Sequence, residues 1–185
     1  MHNFRRTYCF LFSQNIPNYI DIYLKQKSLY RRYLKFIKRY IFIFLKGQMG
    51  IEVYKILPAH KKILWINISA PSLGDSLMDL SSRVMLQDRF VDLFTDQKNA
   101  HIFRDDLFFK SIFTSSTAIN ETQYDLVIID SYSTRSIQIK SMIAPKTSYV
   151  GMFGYFNGPE VNRILFSFYH MNFLLGSVKS EHEIN

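Results

Sequence analysis

The stretch Lys62-Ile63-Leu64-Trp65-Ile66-Asn67-Ile68-Ser69 runs directly into Ala70-Pro71-Ser72-Leu73-Gly74-Asp75-Ser76-Leu77. The first part is short, apolar and rich in β-branched residues, which predicts a buried strand. The second part holds Pro, Ser, Gly and Asp, which favour a turn, and an amphipathic helical pattern follows it. A strand, a Gly-Asp turn and a helix are typical of the opening of an α/β domain. This order places the Asp75 carboxylate at the carboxyl edge of the first strand, where open α/β sheets carry their chemistry.

The same alternation of strand and helix patterns continues to residue 175. Strands are predicted over residues 63–69, 89–95, 111–114, 124–130 and 148–152. Helices are predicted over residues 76–87, 99–108, 133–143 and 159–175, with Gly176 just past the end of the last. Strands separated by helices predict a parallel sheet that is covered on both faces. The expected fold class is therefore α/β, with a Rossmann-like parallel sheet.

Several well-known site motifs are absent from the sequence. There is no G-x-G-x-x-G after the first strand, no P-loop, no H-E-x-x-H and no G-x-S-x-G. The single Cys9 excludes an internal disulfide and a cysteine-based zinc site, and the five His have no metal-ligand spacing. The sequence therefore predicts neither a metal nor a cofactor.

The positive charge is concentrated near the amino terminus. Residues 1–50 hold ten Lys or Arg and one acid, Asp21, whereas the whole chain has a formal net charge of +8. We call residues 1–59 the basic arm, and we expect residues 17–46 to form one long helix or two shorter ones. The apolar run Ile41-Phe42-Ile43-Phe44-Leu45 is much shorter than the roughly 20 residues that cross a bilayer.

Three interpretations of the arm are open. A basic, aromatic helix over residues 20–46 can lie on an anionic membrane surface. The same helix can instead pack its apolar face on the domain and expose its Lys and Arg to water. Nucleic-acid binding is the least favoured, because the aromatic residues have core-like spacing and no DNA-binding motif follows.

Three segments together carry a family resemblance. The run 63–77, with its L-G-D at 73–75, resembles the opening of the heptosyltransferase family of lipopolysaccharide core assembly, which is glycosyltransferase family 9. Residues 124–130, Tyr-Asp-Leu-Val-Ile-Ile-Asp, resemble that family's Y-D-L-V-I-D-L strand. Residues 162–176 resemble the helix that closes the family's amino-terminal domain. The resemblance covers residues 60–176 in the family's order and spacing.

The resemblance implies the amino-terminal, acceptor-side half of a GT-B glycosyltransferase. Such an enzyme is inverting and metal-independent, and it transfers a sugar from a nucleotide-sugar to a lipid-linked acceptor. The implied acceptor is the lipopolysaccharide inner core. Together with the basic arm, this gives an expected location that is cytoplasmic, peripheral on the inner face of the inner membrane. We accordingly expect a basic arm over 1–59, a Rossmann-like domain over 60–176 and a polar linker remnant over 177–185.

The resemblance also assigns a role to Asp75, as the general base that takes a proton from the acceptor hydroxyl. A second interpretation is that Asp75 caps the helix that follows it, because Asp is a favoured cap residue. The turn Ala70-Pro71-Ser72 departs from the family's usual small-residue approach to L-G-D, which is expected to shift Asp75 relative to the acceptor.

Further residues are candidates for contact with the acceptor. Arg135 and Lys140 follow the strand that ends at Asp130, and they suit a phosphate-rich and carboxylate-rich saccharide. Ser69 ends the first predicted strand, Ser72 and Gly74 lie in the turn after it, and all three can approach acceptor hydroxyls. His101 and Arg104 are weaker candidates to line the same cleft.

The 185 residues include no second domain of this kind, so the nucleotide-sugar site is missing from the sequence. Because positioning the donor supplies much of such a catalyst's advantage, we expect this chain alone not to transfer sugar. We therefore interpret the chain as a truncated or disrupted reading frame, or as one part of a split enzyme whose expected partner is a separate chain that supplies the nucleotide-sugar domain. The alternative is a non-catalytic membrane-surface or partner-binding module that keeps the fold and has lost the chemistry.

Overall fold

The computed structural model describes residues 29–152 and 163–176, which build a five-stranded sheet with helices on both faces. The strands are β1 (Lys62–Asn67), β2 (Phe90–Thr95), β3 (Ile112–Phe113), β4 (Leu126–Ile129) and β5 (Tyr149–Gly151). The helices are α1 (Leu29–Leu45), α2 (Leu73–Asp79), α3 (Gln97–Phe103), α4 (Thr134–Ile143) and α5 (Arg163–Leu175). Single turns of 3₁₀-helix lie at Met49–Ile51, Ser116–Ala118 and Glu121–Gln123, and a longer one at Ser81–Leu86.

Every strand pair in the sheet is parallel, and the order is β3-β2-β1-β4-β5. Strand β1 is central, so that Ile63 lies opposite Val91 of β2 and Leu126 of β4. Five of its six residues are buried, as expected of a parallel strand covered on both faces. The predicted α/β class with a Rossmann-like parallel sheet is confirmed.

Alternate residues of β1 enter two separate cores. Ile63 and Trp65 pack with Phe103 of α3 and Met171 of α5 on one face. Leu64 and Ile66 pack on the other face, with Ile137 of α4 and Ile43 of α1. The period of two along the strand thus divides one apolar run between two layers of helices.

Two acidic residues on either side of β4 fasten it to β1. The Asp125 carboxylate accepts hydrogen bonds from the backbone N–H groups of Lys61 and Lys62, both at 2.9 Å. The Asp130 carboxylate accepts from the backbone N–H groups of Ile68 at 2.8 Å and Ser69 at 2.5 Å. The pairing of these strands is therefore fixed at both ends by side chains as well as by the ladder.

The described part of the basic arm packs on the sheet. Ile43 is fully buried beside α4, and beyond α1 the Val53 N–H donates to the Tyr149 carbonyl of β5 at 2.8 Å. The Ile56 N–H donates to the Leu174 carbonyl of α5, also at 2.8 Å. Residues of the basic arm therefore pack against the predicted Rossmann-like domain, across the predicted domain boundary between residues 59 and 60. Within residues 29–152 and 163–176, no helix has both the length and the apolar character needed to cross a membrane.

The predicted elements all lie close to observed ones, but two of the helices are shorter than predicted. The helix predicted over 76–87 is α2, which begins at Leu73 because Ser72 caps it, followed by a 3₁₀ segment from Ser81. The helix predicted over 99–108 is α3, which ends at Phe103. Helix α5 ends as predicted at Leu175, and Gly176 has a positive φ of 73°, the conformation for which Gly is favoured.

Parts of three predictions lie outside the described residues. They are the start of the arm helix before residue 29, the start of the last helix at residues 159–162 and the polar segment 177–185.

Candidate functional site

The direction in which the chain adds strands to the sheet reverses at β1. From β1 the chain proceeds to β2 and β3 on one side, and it then crosses to β4 and β5 on the other. Open α/β sheets bind their ligands in the crevice at such a reversal of strand order. The residues that follow β1, β2 and β4 therefore form the candidate site.

The segment between β1 and α2 holds Asp75 in a fixed position. The Ser72 hydroxyl accepts a hydrogen bond from the Asp75 backbone N–H at 3.2 Å, which makes Ser72 the amino-terminal cap of α2. The same hydroxyl donates to Asp75 Oδ2 at 2.7 Å. The half-buried carboxylate thus lies in the first turn of the helix, where the helix dipole favours a negative charge.

Two expectations about this segment are corrected. The Gly-Asp pair is not in the turn, because the turn ends at Ser72 and both residues belong to the first turn of α2. The capping role proposed for Asp75 belongs to Ser72. Gly74 does not have a positive φ, and a Cβ there would meet only Ser72 Oγ, at 3.9 Å. A small side chain would therefore fit at this position without a clash.

An open pocket lies between this segment and α3. It is lined by Pro71, Ser72, Leu73, Gly74, Lys98 and His101. Ser72, Gly74 and His101 were candidate acceptor contacts, and the fold brings these three together, whereas Arg104 lines a separate groove beside β3. Lys98 was not a candidate: it lies in the first turn of α3, a position that the predicted start at residue 99 excluded. The pocket therefore combines a hydroxyl, a cation and an imidazole. Asp75 is not among its lining residues, but its carboxylate is hydrogen-bonded to one of them, Ser72.

On the other side of β1, Asp130 organises a cluster of hydroxyl groups. Its side chain is almost wholly buried, and Oδ1 accepts from the Ser136 hydroxyl at 2.6 Å. The hydroxyls of Ser69, Ser133 and Ser136 lie 2.7–2.8 Å from one another. Burial raises the pKa of Asp130, and the hydrogen bonds from Ser136 and from the backbone of Ser69 and Ile68 act against that rise.

The sequence predicts Asp130 only as the end of a strand and gives it no role in a site. The signal in the sequence that could have indicated a role is an acid directly after a buried apolar run. Because it accepts from the Ile68 and Ser69 N–H groups, Asp130 fixes the start of the segment that leads to Asp75.

Arg135 spans the carboxyl end of β1. Its Nη1 donates to the Ile68 carbonyl at 2.9 Å and its Nη2 to Asp96 Oδ1 at 2.5 Å. Asp96 precedes α3, so the pair joins the start of α4 to the start of α3. The Arg135 side chain is still 58% exposed, so it is accessible from the crevice, as contact with an acceptor requires.

The expectation for Lys140 is corrected. The residue has 0% exposure, and its Nζ donates to Gln48 Oε1 at 2.6 Å and lies 4.9 Å from the centre of the Tyr149 ring. Burial lowers the pKa of Lys140 to about 7, although the nearby Glu121 carboxylate acts in the opposite direction. Lys140 is in the last turn of α4, away from the carboxyl edge, and it cannot reach an acceptor from there.

Two buried amides lie at the same carboxyl edge as the pocket. Asn67 ends β1 and accepts a hydrogen bond from the Ser76 hydroxyl, while Asn99 lies in the first turn of α3. Among the described residues, the Asn67 Nδ2 and both side-chain polar atoms of Asn99 have no hydrogen-bond partner. The described residues include no group of three or more His, Cys, Asp or Glu that could hold a metal ion.

The sheet order and the polar groups at the strand reversal define a Rossmann-like α/β protein with a candidate site at the carboxyl edge. No family model matches the chain, and no curated protein matches it in sequence. Among solved structures, the chain is similar to E. coli heptosyltransferase WaaC with ADP-2-deoxy-2-fluoro heptose, at 15% identity and a TM-score of 0.48. The alignment covers 65% of this chain and 50% of WaaC, so the chain spans about half the length of that neighbour.

Proposed function

We propose that this chain is the acceptor-binding half of an inverting glycosyltransferase, with Asp75 as the general base. One observation carries the proposal: the half-buried Asp75 carboxylate accepts a hydrogen bond from the Ser72 hydroxyl, and Ser72 lines an open pocket at the carboxyl edge of the sheet. A carboxylate in such a position can take the proton of a hydroxyl group bound in the pocket. The resemblance of residues 63–77 to the opening of the heptosyltransferases gives the same role to Asp75.

The proposed reaction balances without a metal ion. The acceptor oxygen forms a bond to the anomeric carbon of the donor sugar on the face opposite the leaving group. The bond from that carbon to the oxygen of the nucleoside diphosphate breaks, and the nucleoside diphosphate leaves with the electron pair. The acceptor hydroxyl proton passes to the Asp75 carboxylate.

The pocket chemistry supports an acceptor that carries both hydroxyl groups and negative charge. Lys98 supplies a positive charge, His101 an imidazole and Ser72 a hydroxyl, and Gly74 adds no side chain to the wall. Across β1, Arg135 and the hydroxyl of Ser69 offer further polar contacts. Such a set suits a phosphorylated saccharide. By the resemblance, we propose the lipid-linked inner core of lipopolysaccharide at the cytoplasmic face of the inner membrane.

The experiment separates acceptor binding from transfer. Binding of an inner-core oligosaccharide to the 185-residue chain is measured by calorimetry. Transfer is measured after a chain with a nucleotide-sugar domain has been added. Asp75→Asn is expected to bind the oligosaccharide within about threefold of the unsubstituted chain and to lose transfer by at least a hundredfold. Asp105→Asn, which neutralises an exposed acid beyond the far end of α3, is the matched control and should change neither quantity.

His101→Ala tests the pocket itself and should weaken oligosaccharide binding by about tenfold, since it removes one wall of the site. Transfer that survives Asp75→Asn would refute the general-base role. An oligosaccharide that does not bind the unsubstituted chain would refute the acceptor-binding function.

The second candidate function is a non-catalytic module that binds a membrane surface. The exposed apolar side chains of α1 favour it, because a helix that serves only to cover the sheet would bury them. Under this function Asp75→Asn changes nothing that can be measured, and the oligosaccharide does not bind.

A further inference from the structure

Helix α1 has two faces with opposite relations to the domain. Ile43 is fully buried against the sheet and α4. On the other side lies a stripe of apolar side chains that are 44–72% exposed. This α1 stripe consists of Leu34, Ile37, Ile41, Phe44 and Leu45. At 100° per residue, these positions fall within a sector of roughly 100°.

The stripe is not the core face of the helix. Its members recur at the i, i+3 and i+7 spacing that normally marks the buried side of an amphipathic helix, yet they point away from Ile43. Large apolar side chains in one continuous exposed patch indicate a surface that binds something.

The charge around the stripe identifies what it binds. Lys38 and Lys46 are exposed: Lys38 follows Ile37 of the stripe, and Lys46 lies just past the end of α1, with its Nζ 5.6 Å from the ring of Phe42, which is outside the stripe. Residues 1–50 together hold ten Lys or Arg and a single acid. A second copy of so basic a segment would be repelled, whereas the headgroups of an anionic lipid layer attract it.

The length and attachment of α1 fit a helix that lies in the plane of a membrane. Its 17 residues span about 25 Å, and no described helix is suited to cross a bilayer. The helix cannot swing freely, because Gln48 just beyond it accepts from Lys140 at 2.6 Å and donates to the Pro145 carbonyl at 3.1 Å. A membrane that holds the stripe would therefore also hold the sheet at one orientation.

We propose that the α1 stripe, with Lys38 and Lys46, docks this protein on the surface of an anionic lipid bilayer. Side chains of the stripe enter the region between headgroups and acyl chains, and the lysines meet lipid phosphates. The proposal does not depend on sugar transfer: membrane docking can fail while Asp75 acts as a base, and the reverse also holds.

The test is co-sedimentation of the 185-residue chain with vesicles. Vesicles that contain phosphatidylglycerol should bind the chain at least tenfold more tightly than pure phosphatidylcholine vesicles, and added salt should weaken the binding. The triple variant Ile37→Ser, Ile41→Ser, Phe44→Ser should lose at least tenfold in affinity. Leu107→Ser is the matched control, because Leu107 is 94% exposed on another part of the surface, and it should bind like the unsubstituted chain.

A single substitution tests the same surface in case the triple variant does not fold. Phe44→Trp places an exposed indole in the stripe, whereas the native Trp65 is buried. Brominated lipid in the vesicles should quench the new fluorescence and leave that of Trp65 nearly unchanged.

Four results would overturn the proposal. They are unchanged binding of the triple variant, equal binding to the two kinds of vesicle, absence of quenching at residue 44, and a stripe that mediates only self-association or binding to duplex DNA. Light scattering and fluorescence anisotropy detect the last of these.

Discussion

The two ends of α4 each carry a basic residue, and the two residues do different things. Arg135 in the first turn lies at the carboxyl edge, more than half exposed, and joins Ile68 to Asp96. Lys140 in the last turn is wholly buried and holds Gln48 beside the Tyr149 ring. The sequence predicts both residues as candidate acceptor contacts. The first position is open to a ligand, whereas the second attaches the basic arm to the sheet.

The comparison extends to the polar groups around each residue. Near Arg135, the hydroxyls of Ser69, Ser133 and Ser136 surround the Asp130 carboxylate beside an open crevice. Near Lys140, the Tyr132 hydroxyl donates to the buried Glu52 carboxylate. In this second cluster Gly151 has no room for a side chain, because a Cβ would lie 2.2 Å from Tyr132 Cε2. Asp130 and Ser136 are as buried as Glu52 and Tyr132, so both clusters fix the structure, and only the exposed Arg135 beside the first cluster is open to a ligand.

The largest expected effect is on Asp130. Asp130→Ala leaves the Ile68 and Ser69 N–H groups without their acceptor inside the protein, whereas the Ser136 hydroxyl can still donate to Ser69 or Ser133. We expect the free energy of unfolding to fall by about 3 kcal/mol, measured by urea denaturation. Asp125→Ala is the control: it removes the same kind of link at the exposed end of β1, and it should cost about 1 kcal/mol. Equal costs at the two ends would show that burial does not set the strength of these links.

A smaller effect on stability is expected when a change of pH titrates Lys140, at the other end of α4. The folded pKa of Lys140 is about 7, against 10.5 for an ordinary lysine, so between these values the unfolded chain holds a proton that the folded chain does not. Unfolding therefore takes up a proton, and stability rises as the pH increases through this range. We expect the free energy of unfolding to rise by about 2 kcal/mol between pH 7 and pH 9, a range below that in which tyrosines titrate.

Lys140→Met should flatten this pH dependence of urea denaturation, whereas Lys146→Met, at an exposed position, should leave it unchanged. The charged group that faces Lys140 is Glu121, which raises its pKa. Glu121→Gln should therefore move the rise in stability to lower pH. If the Lys140→Met variant keeps the full pH dependence of stability, that dependence arises from another titratable group.

The smallest effect is expected from Arg135. Its ion pair with Asp96 is more than half exposed on the arginine side, so solvent screens it. A double-mutant cycle with Arg135→Ala and Asp96→Asn should give a coupling of under about 1 kcal/mol by thermal denaturation, and it should weaken further in high salt. A coupling as large as the cost of Asp130→Ala would place Arg135 among the structural residues and remove the contrast between the two ends of α4.

The sequence by itself determined the class of the fold. The apolar run at 63–68 and the run that ends at Asp130 predicted buried parallel strands, because a strand covered on both faces shows no polar alternation. Local chemistry also placed Asp75 next to the carboxyl end of β1 and Gly176 at the end of α5. These features depend on neighbours in the sequence, and so they can be read from it.

Only the tertiary structure decided which polar residues meet. Asp130 contacts Ile68 and Ser69 from more than 60 positions away, and Lys140 meets Gln48 from 92 positions away. The sequence also did not reveal that α1 exposes an apolar stripe, because the spacing of the stripe is the same as that of a buried face. Periodicity shows that a helix has an apolar side. Whether that side is covered depends on which other elements reach it, and this is a property of the folded chain.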